Sequence, residues 1–153
     1  MKGTMLSNML ALATSRHNGQ FDKAGAPYIL HPLKVMHYLK TEDEELQCIA
    51  LGHDLLEDTV TTEAELHDLG FSERVINGIA AMTKKSGESS EQYCERVKAN
   101  FDSTRVKMAN LRHNSDIRRL KGVSSKDLLR IEKYHRFYME LKKQCLQQDR
   151  SLE

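Results

Sequence analysis

The sequence has little of what builds a disulfide scaffold, a hairpin-rich fold or a membrane span. Its three cysteines, Cys48, Cys94 and Cys145, are odd in number, widely spaced and without a CxxC pair. That excludes a disulfide framework and a thiolate zinc site and points to a reducing compartment. Only two prolines occur, Pro27 and Pro32, so everything after residue 33 is free to be helical. Strand signals are weak, with no β-branched or aromatic runs joined by hairpin turns. No apolar run approaches the roughly 20 residues that cross a bilayer. Residues 1–18 lack the basic start and apolar block of a secretory signal. An excess of one charge is missing too: 23 Lys and Arg against 22 Asp and Glu leave a formal charge of +1. This removes the electrostatic case for non-specific binding to nucleic acid or a membrane surface. The expectation is a soluble cytoplasmic protein with neither nucleic acid nor membrane among its partners.

What is present is helical periodicity. Apolar residues recur mostly at three- and four-residue steps. Capping-box patterns start at Thr41, Thr62 and Ser89, and glycines at 70, 87 and 122 supply stop signals. The pattern predicts helices near 3–17, 30–39, 43–56, 62–69, 72–83, 90–100, 102–114 and 125–148, with 18–29 as one long irregular stretch. The last helix carries an apolar stripe of Leu128, Ile131, Tyr134, Tyr138, Leu141 and Cys145. A length of 153 residues without repeats or linkers gives a single all-α domain over 1–146 and a polar, frayed tail over 147–153.

Histidine carries the chemistry. His53 precedes Asp54 inside the apolar segment 49–59, and Glu57 and Asp58 follow four residues on. His53 then shares a helix face with Glu57, and Asp54 with Asp58. Two surface ion pairs or the wall of a cleft would both give this spacing; the flanking Ile49, Ala50, Leu51, Leu55 and Leu56 leave little of the helix for solvent. His31 stands before Pro32, which suits the first turn of a helix. Two imidazoles and a carboxylate suit Mn²⁺, Fe²⁺ or Zn²⁺.

Three ordered blocks resemble the HD-superfamily phosphohydrolases, in the branch of RelA/SpoT-type (p)ppGpp hydrolases and their small stand-alone forms. They are Gly25-Ala26-Pro27-Tyr28-Ile29-Leu30-His31-Pro32, His53-Asp54-Leu55-Leu56-Glu57-Asp58-Thr59 and Lys107-Met108-Ala109-Asn110-Leu111-Arg112-His113-Asn114. The resemblance runs from about His17 to Tyr138 and includes Thr83-Lys84. It implies an HD-domain helical bundle holding one metal ion, usually Mn²⁺, by His31, His53, Asp54 and Asn110. It implies that Glu57 and Asp58 position or deprotonate the attacking water, and that the substrate is a nucleotide such as (p)ppGpp. By the same resemblance Lys23, Asn114, Arg130 and Tyr134 contact the nucleotide.

Two positions depart from the branch: Asn110 replaces the aspartate ligand, and Asp22 stands where an arginine is usual beside Lys23. An amide oxygen coordinates without bringing charge, so a catalytically weakened or purely nucleotide-binding relative is the alternative reading. His17 reads as a structural support of the cleft, and His37, His67, His113 and His135 as surface or packing residues. Asp116, Arg118 and Arg119 either line the pocket mouth or pair with one another, and Lys84 and Lys85 either attract phosphate or form a solvated turn.

Overall fold

A computed structural model of the chain describes residues 1–151. These form nine α-helices: α1 (Thr4–Arg16), α2 (Leu30–Leu39), α3 (Glu44–Gly52), α4 (Leu55–Asp58), α5 (Glu63–Asp68), α6 (Glu73–Met82), α7 (Ser90–Lys98), α8 (Phe101–Asn114) and α9 (Ser125–Ser151). A 3-10 turn, Ile117–Arg119, lies between α8 and α9. The expected all-α class holds; among the described residues the only β feature is an isolated bridge between Phe21 and Pro27.

The centre of the bundle is α3, buried at Leu46, Cys48, Ile49, Ala50, Leu51 and Gly52. A helix apolar on all sides needs neighbours on all sides, and α1, α2, α6 and α8 supply them. Its approach to α6 depends on a missing side chain, since a Cβ at Gly78 would lie 2.5 Å from Ile49 Cδ1. A smaller apolar cluster of Val97, Leu111 and Leu141, flanked by Tyr93, Tyr134, Phe137 and Tyr138, seats α9 on α7 and α8.

Several expectations are corrected. The capping box forms at Ser89, whose hydroxyl accepts from Gln92, but not at Thr41. There the Asp43 carboxylate caps α3, accepting from Glu45 and Leu46, because an anion at a helix start also answers the macrodipole. The single helix expected over 43–56 is broken at His53-Asp54 into α3 and α4. Residues 147–151 are not a frayed tail but the end of α9; 152–153 lie outside the described residues. Leu128 is 58% exposed and drops out of the apolar stripe, of which Leu141 is the buried member and Ile131, Tyr134, Tyr138 and Cys145 are half-buried.

Candidate metal centre and adjoining pockets

His31 sits on the first turn of α2, where its amide bonds the Tyr28 carbonyl at 2.9 Å. His53 and Asp54 occupy the break between α3 and α4. Each of the three offers one ligand atom, and these atoms lie within 4.8 Å of one another. Asp54 Oδ2 is 3.0 Å from His53 Nε2 and 3.8 Å from His31 Nε2. Both rings are buried, at 3% and 2% side-chain exposure. Surface ion pairs are thereby excluded as the reason for the His-Asp spacing.

The protonation of His53 follows from its neighbours. Its Nδ1 lies 2.7 Å from the Ala50 carbonyl, and a carbonyl only accepts, so Nδ1 carries hydrogen. In a neutral ring Nε2 is then a bare acceptor, and it is buried without a hydrogen-bond partner. It faces a carboxylate oxygen, so two acceptors meet at 3.0 Å. Such a contact needs a cation, either a proton or a metal. Burial opposes charge on His53, but the Asp54 carboxylate outweighs it and raises the pKa. Burial likewise pushes Asp54 up, yet His53 and the Tyr28 hydroxyl, 2.6 Å from Oδ2, hold it below the usual carboxylate range. Ligand atoms about 2.1 Å from one ion at right angles lie about 3 Å apart, so this donor set fits a divalent metal.

His113 corrects a second expectation: it is neither a surface nor a mere packing residue. Its Nδ1 is 2.7 Å from His31 Nδ1, and the two rings stack with centroids 5.0 Å apart. Burial and the His53 charge push His31 down to about 3, and burial with Arg119 pushes His113 down to about 4. Both are neutral at pH 7 and one proton lies between the two nitrogens; when His31 Nδ1 carries it, His31 Nε2 keeps its lone pair toward Asp54. The signal was available: His113 follows Asn110 by one helical turn on α8. As pH falls below about 6.5 the unfolded chain protonates both rings while the fold keeps them neutral. Stability therefore falls by about 1.4 kcal/mol per pH unit for each ring. Melts of the metal-free protein are expected to show Tm falling from pH 7 to 4.5, with a shallower slope for His113→Asn. His53 has the opposite sign: its contribution is full below the unfolded pKa and fades as pH rises through the folded one.

Tyr28 lies between the rings of His17 and His31, with centroids 5.1 and 5.7 Å away. Its hydroxyl fixes Asp54, and such outer partners commonly contribute 10- to 100-fold in metal affinity. Tyr28→Phe is expected to weaken Mn²⁺ binding by about that factor at unchanged helicity, as read by calorimetric titration. His17 is buried, with Nδ1 2.7 Å from Gln20 Oε1; Gln20 Nε2 donates to the Asp58 carbonyl at 2.8 Å. This ties the 18–29 loop to α4. The His17 Nε2 is buried and unpartnered.

Glu57 and Asp58 end the short α4, both exposed. Glu57 accepts from the Lys84 amide at 2.5 Å, and partial burial with the charges of Asp54 and Glu57 pushes the Asp58 carboxyl up. Glu57 lines a cavity of about 710 Å³ with Lys84, Lys107, Lys133 and Tyr134. Lys107 went unremarked in the sequence although it opens the third block; burial pushes its amine down against the pull of Asp54 and Glu57. Asn110 is buried on α8 and its Oδ1 accepts from Asn114 Nδ2 at 2.8 Å. Lys23, Asn114, Arg130 and Tyr134 meet around a second cavity of about 290 Å³, joined by Asp22 and Arg119. Tyr134 borders both. Asp116 pairs with Arg118, and Arg130 with Asp127. His67 pairs with Glu73 on the surface.

The all-helical bundle thus brings two buried histidines and a neighbouring aspartate to one point. Its relatives are specific. The chain is 37% identical over 97 residues to a GTP pyrophosphokinase of Myxococcus xanthus, covering 61% of this chain and 13% of that protein. It is 36% identical over 111 residues to a guanosine-3′,5′-bis(diphosphate) 3′-pyrophosphohydrolase of Aquifex aeolicus, covering 68% of this chain and 16% of that one. The matches thus span under a fifth of the relatives' own length. Among solved structures, a metazoan ortholog of SpoT that hydrolyzes ppGpp superposes with a TM-score of 0.77 at 18% identity, over 92% of this chain and 86% of that one. No family model matches the chain. The chain is a homologue of the RelA/SpoT-type proteins, as its three blocks imply.

Proposed function

We propose that the chain is a metal-dependent nucleotide phosphohydrolase that removes the 3′-pyrophosphate of (p)ppGpp, with His31, His53, Asp54 and Asn110 as ligands of Mn²⁺. The observation that carries this is the buried His53 Nε2 facing Asp54 Oδ2 at 3.0 Å, with His31 Nε2 3.8 Å from the same oxygen. The bound ion would supply phosphate charge neutralisation and an acidified water. The chain's own groups do the rest. Asp58, with its raised pKa, and Glu57 accept a proton from the attacking water. Lys23, Asn114, Arg130 and Tyr134, gathered on one cavity, hold the nucleotide by charge, hydrogen bonding and stacking. The relatives' names support the substrate. Three free thiols support a cytoplasmic setting, and no helix among the described residues is long and apolar enough to cross a membrane.

Asn110 favours a second reading, a nucleotide-binding protein with weak or no turnover, since its amide brings no charge and is already engaged by Asn114. The test is release of pyrophosphate from ppGpp by the purified protein with Mn²⁺, beside a metal-free control. Metal-dependent release supports the hydrolase. Nucleotide binding without release, with metal bound, leaves the second reading in its place.

A further inference from the structure

The smaller cavity contains an ion pair for which the metal chemistry has no use. Asp22 is fixed by the amides of Ala24 and Ala26, each 2.9 Å from Oδ1, and its Oδ2 lies 3.3 Å from Arg119 Nη2. Arg119 ends the 3-10 turn after α8 and is gripped from the other side. Its Nη1 donates to the His113 carbonyl at 3.1 Å and to Asn114 Oδ1 at 3.3 Å. Asn114 gives its own N–H to Asn110, so its oxygen is a true acceptor. A guanidinium has five N–H groups. These bonds leave the Nε–H and one Nη2–H without a partner among the described residues. Both side chains line the cavity, and neither is free in solvent, at 17% exposure for Asp22 and 24% for Arg119.

We propose that Arg119 is a specificity-determining residue that reads the nucleobase, with Asp22 as its positioning residue; this rests on the nucleotide reading above. Two donors on neighbouring nitrogens match a ligand edge with two adjacent acceptors. Guanine has that edge at N7 and O6, whereas adenine puts an amino donor in place of O6. Phosphate is the other group arginine takes in pairs, but here it would meet the Asp22 carboxylate beside Nη2. A neutral base avoids that repulsion. The pair is thus a hydrogen-bonding platform rather than a free positive charge, and it selects a guanine nucleotide.

The test is equilibrium binding of ppGpp and of its adenosine counterpart to the full chain with metal chelated, for the wild type, Arg119→Gln, Arg119→Lys and Asp22→Asn. The wild type is expected to prefer the guanosine form by about tenfold or more. Arg119→Gln loses that preference through weaker guanosine binding, with adenosine binding within about twofold of wild type. Arg119→Lys behaves alike, since it keeps the charge but not the paired donors. Asp22→Asn gives a partial loss, and combining it with Arg119→Gln adds nothing further. Equal weakening of both nucleotides overturns the proposal in favour of a phosphate contact. Unchanged affinities with a lowered Tm overturn it in favour of a structural latch. A wild type that binds neither nucleotide removes the nucleotide reading itself, and this inference with it.

Discussion

Asp54→Asn is expected to yield a protein that purifies without metal and hydrolyses ppGpp about 1,000-fold more slowly than the wild type, a loss of about 4 kcal/mol of transition-state stabilisation. The substitution keeps the side-chain volume and removes only the charge. It also removes the group that raises the His53 pKa, so burial, which favours the neutral ring, is no longer opposed by a carboxylate. Elemental analysis of the purified protein and Mn²⁺-dependent melting read the effect directly. A ligand that binds only the folded state raises its stability with concentration, so Mn²⁺ lifts the wild-type Tm and leaves that of the variant unmoved. A variant that still binds one equivalent of Mn²⁺ would remove Asp54 from the ligand set and break the assignment.

Asn110→Asp is expected to act in the opposite direction, raising Mn²⁺ affinity and turnover by about tenfold or more. The position is buried on α8, and its oxygen already accepts from Asn114, an interaction an aspartate retains. On the proposed ligand set, what changes is one negative charge beside a cation. The same charge is costly when no cation neutralises it, so the metal-free variant melts below the wild type and the Mn²⁺-loaded variant above it. This crossing of the two melting curves separates a metal ligand from a residue that merely packs. If the variant is less stable in both states and no faster, Asn110 is a structural residue and the nucleotide-binding reading gains.

Much of this architecture was legible because it follows from local rules. Helix positions came from apolar spacing and caps, and the Ser89 box and the Gly70 stop are where those rules put them, whereas α6 is capped at Thr83, four residues before Gly87. The break at His53-Asp54 was not legible, because Leu55 and Leu56 continue the apolar pattern across it. Convergence of His31 with His53 and Asp54 was implied by the resemblance, and periodicity alone cannot bring α2 and α3 to one point. The contact of His113 with His31 and the pairing of Arg119 with Asp22 were missed for the same reason. Their partners, His31 and Asp22, are 82 and 97 residues away, and no pattern within one segment encodes such pairs. The four cavity residues Lys23, Asn114, Arg130 and Tyr134 were grouped only because the resemblance carries spatial information that composition does not.

The interruption between α3 and α4 bears on how the dipeptide can evolve. On an unbroken helix, consecutive side chains diverge by about 100° around the axis, which would swing an imidazole and the next carboxylate toward different neighbours. Here the regular helix is interrupted at Asp54, whose φ of −101° and ψ of −1° lie at the edge of the helical region, and His53 Nε2 and Asp54 Oδ2 come within 3.0 Å of each other. A strong helix former at position 54 would therefore do more than delete a donor: it would invite α3 and α4 to fuse into a straight rod and rotate Glu57 and Asp58 away with it. Conversely, an HD dipeptide in the middle of a rigid helix elsewhere in a proteome is no reason to suspect a chelator.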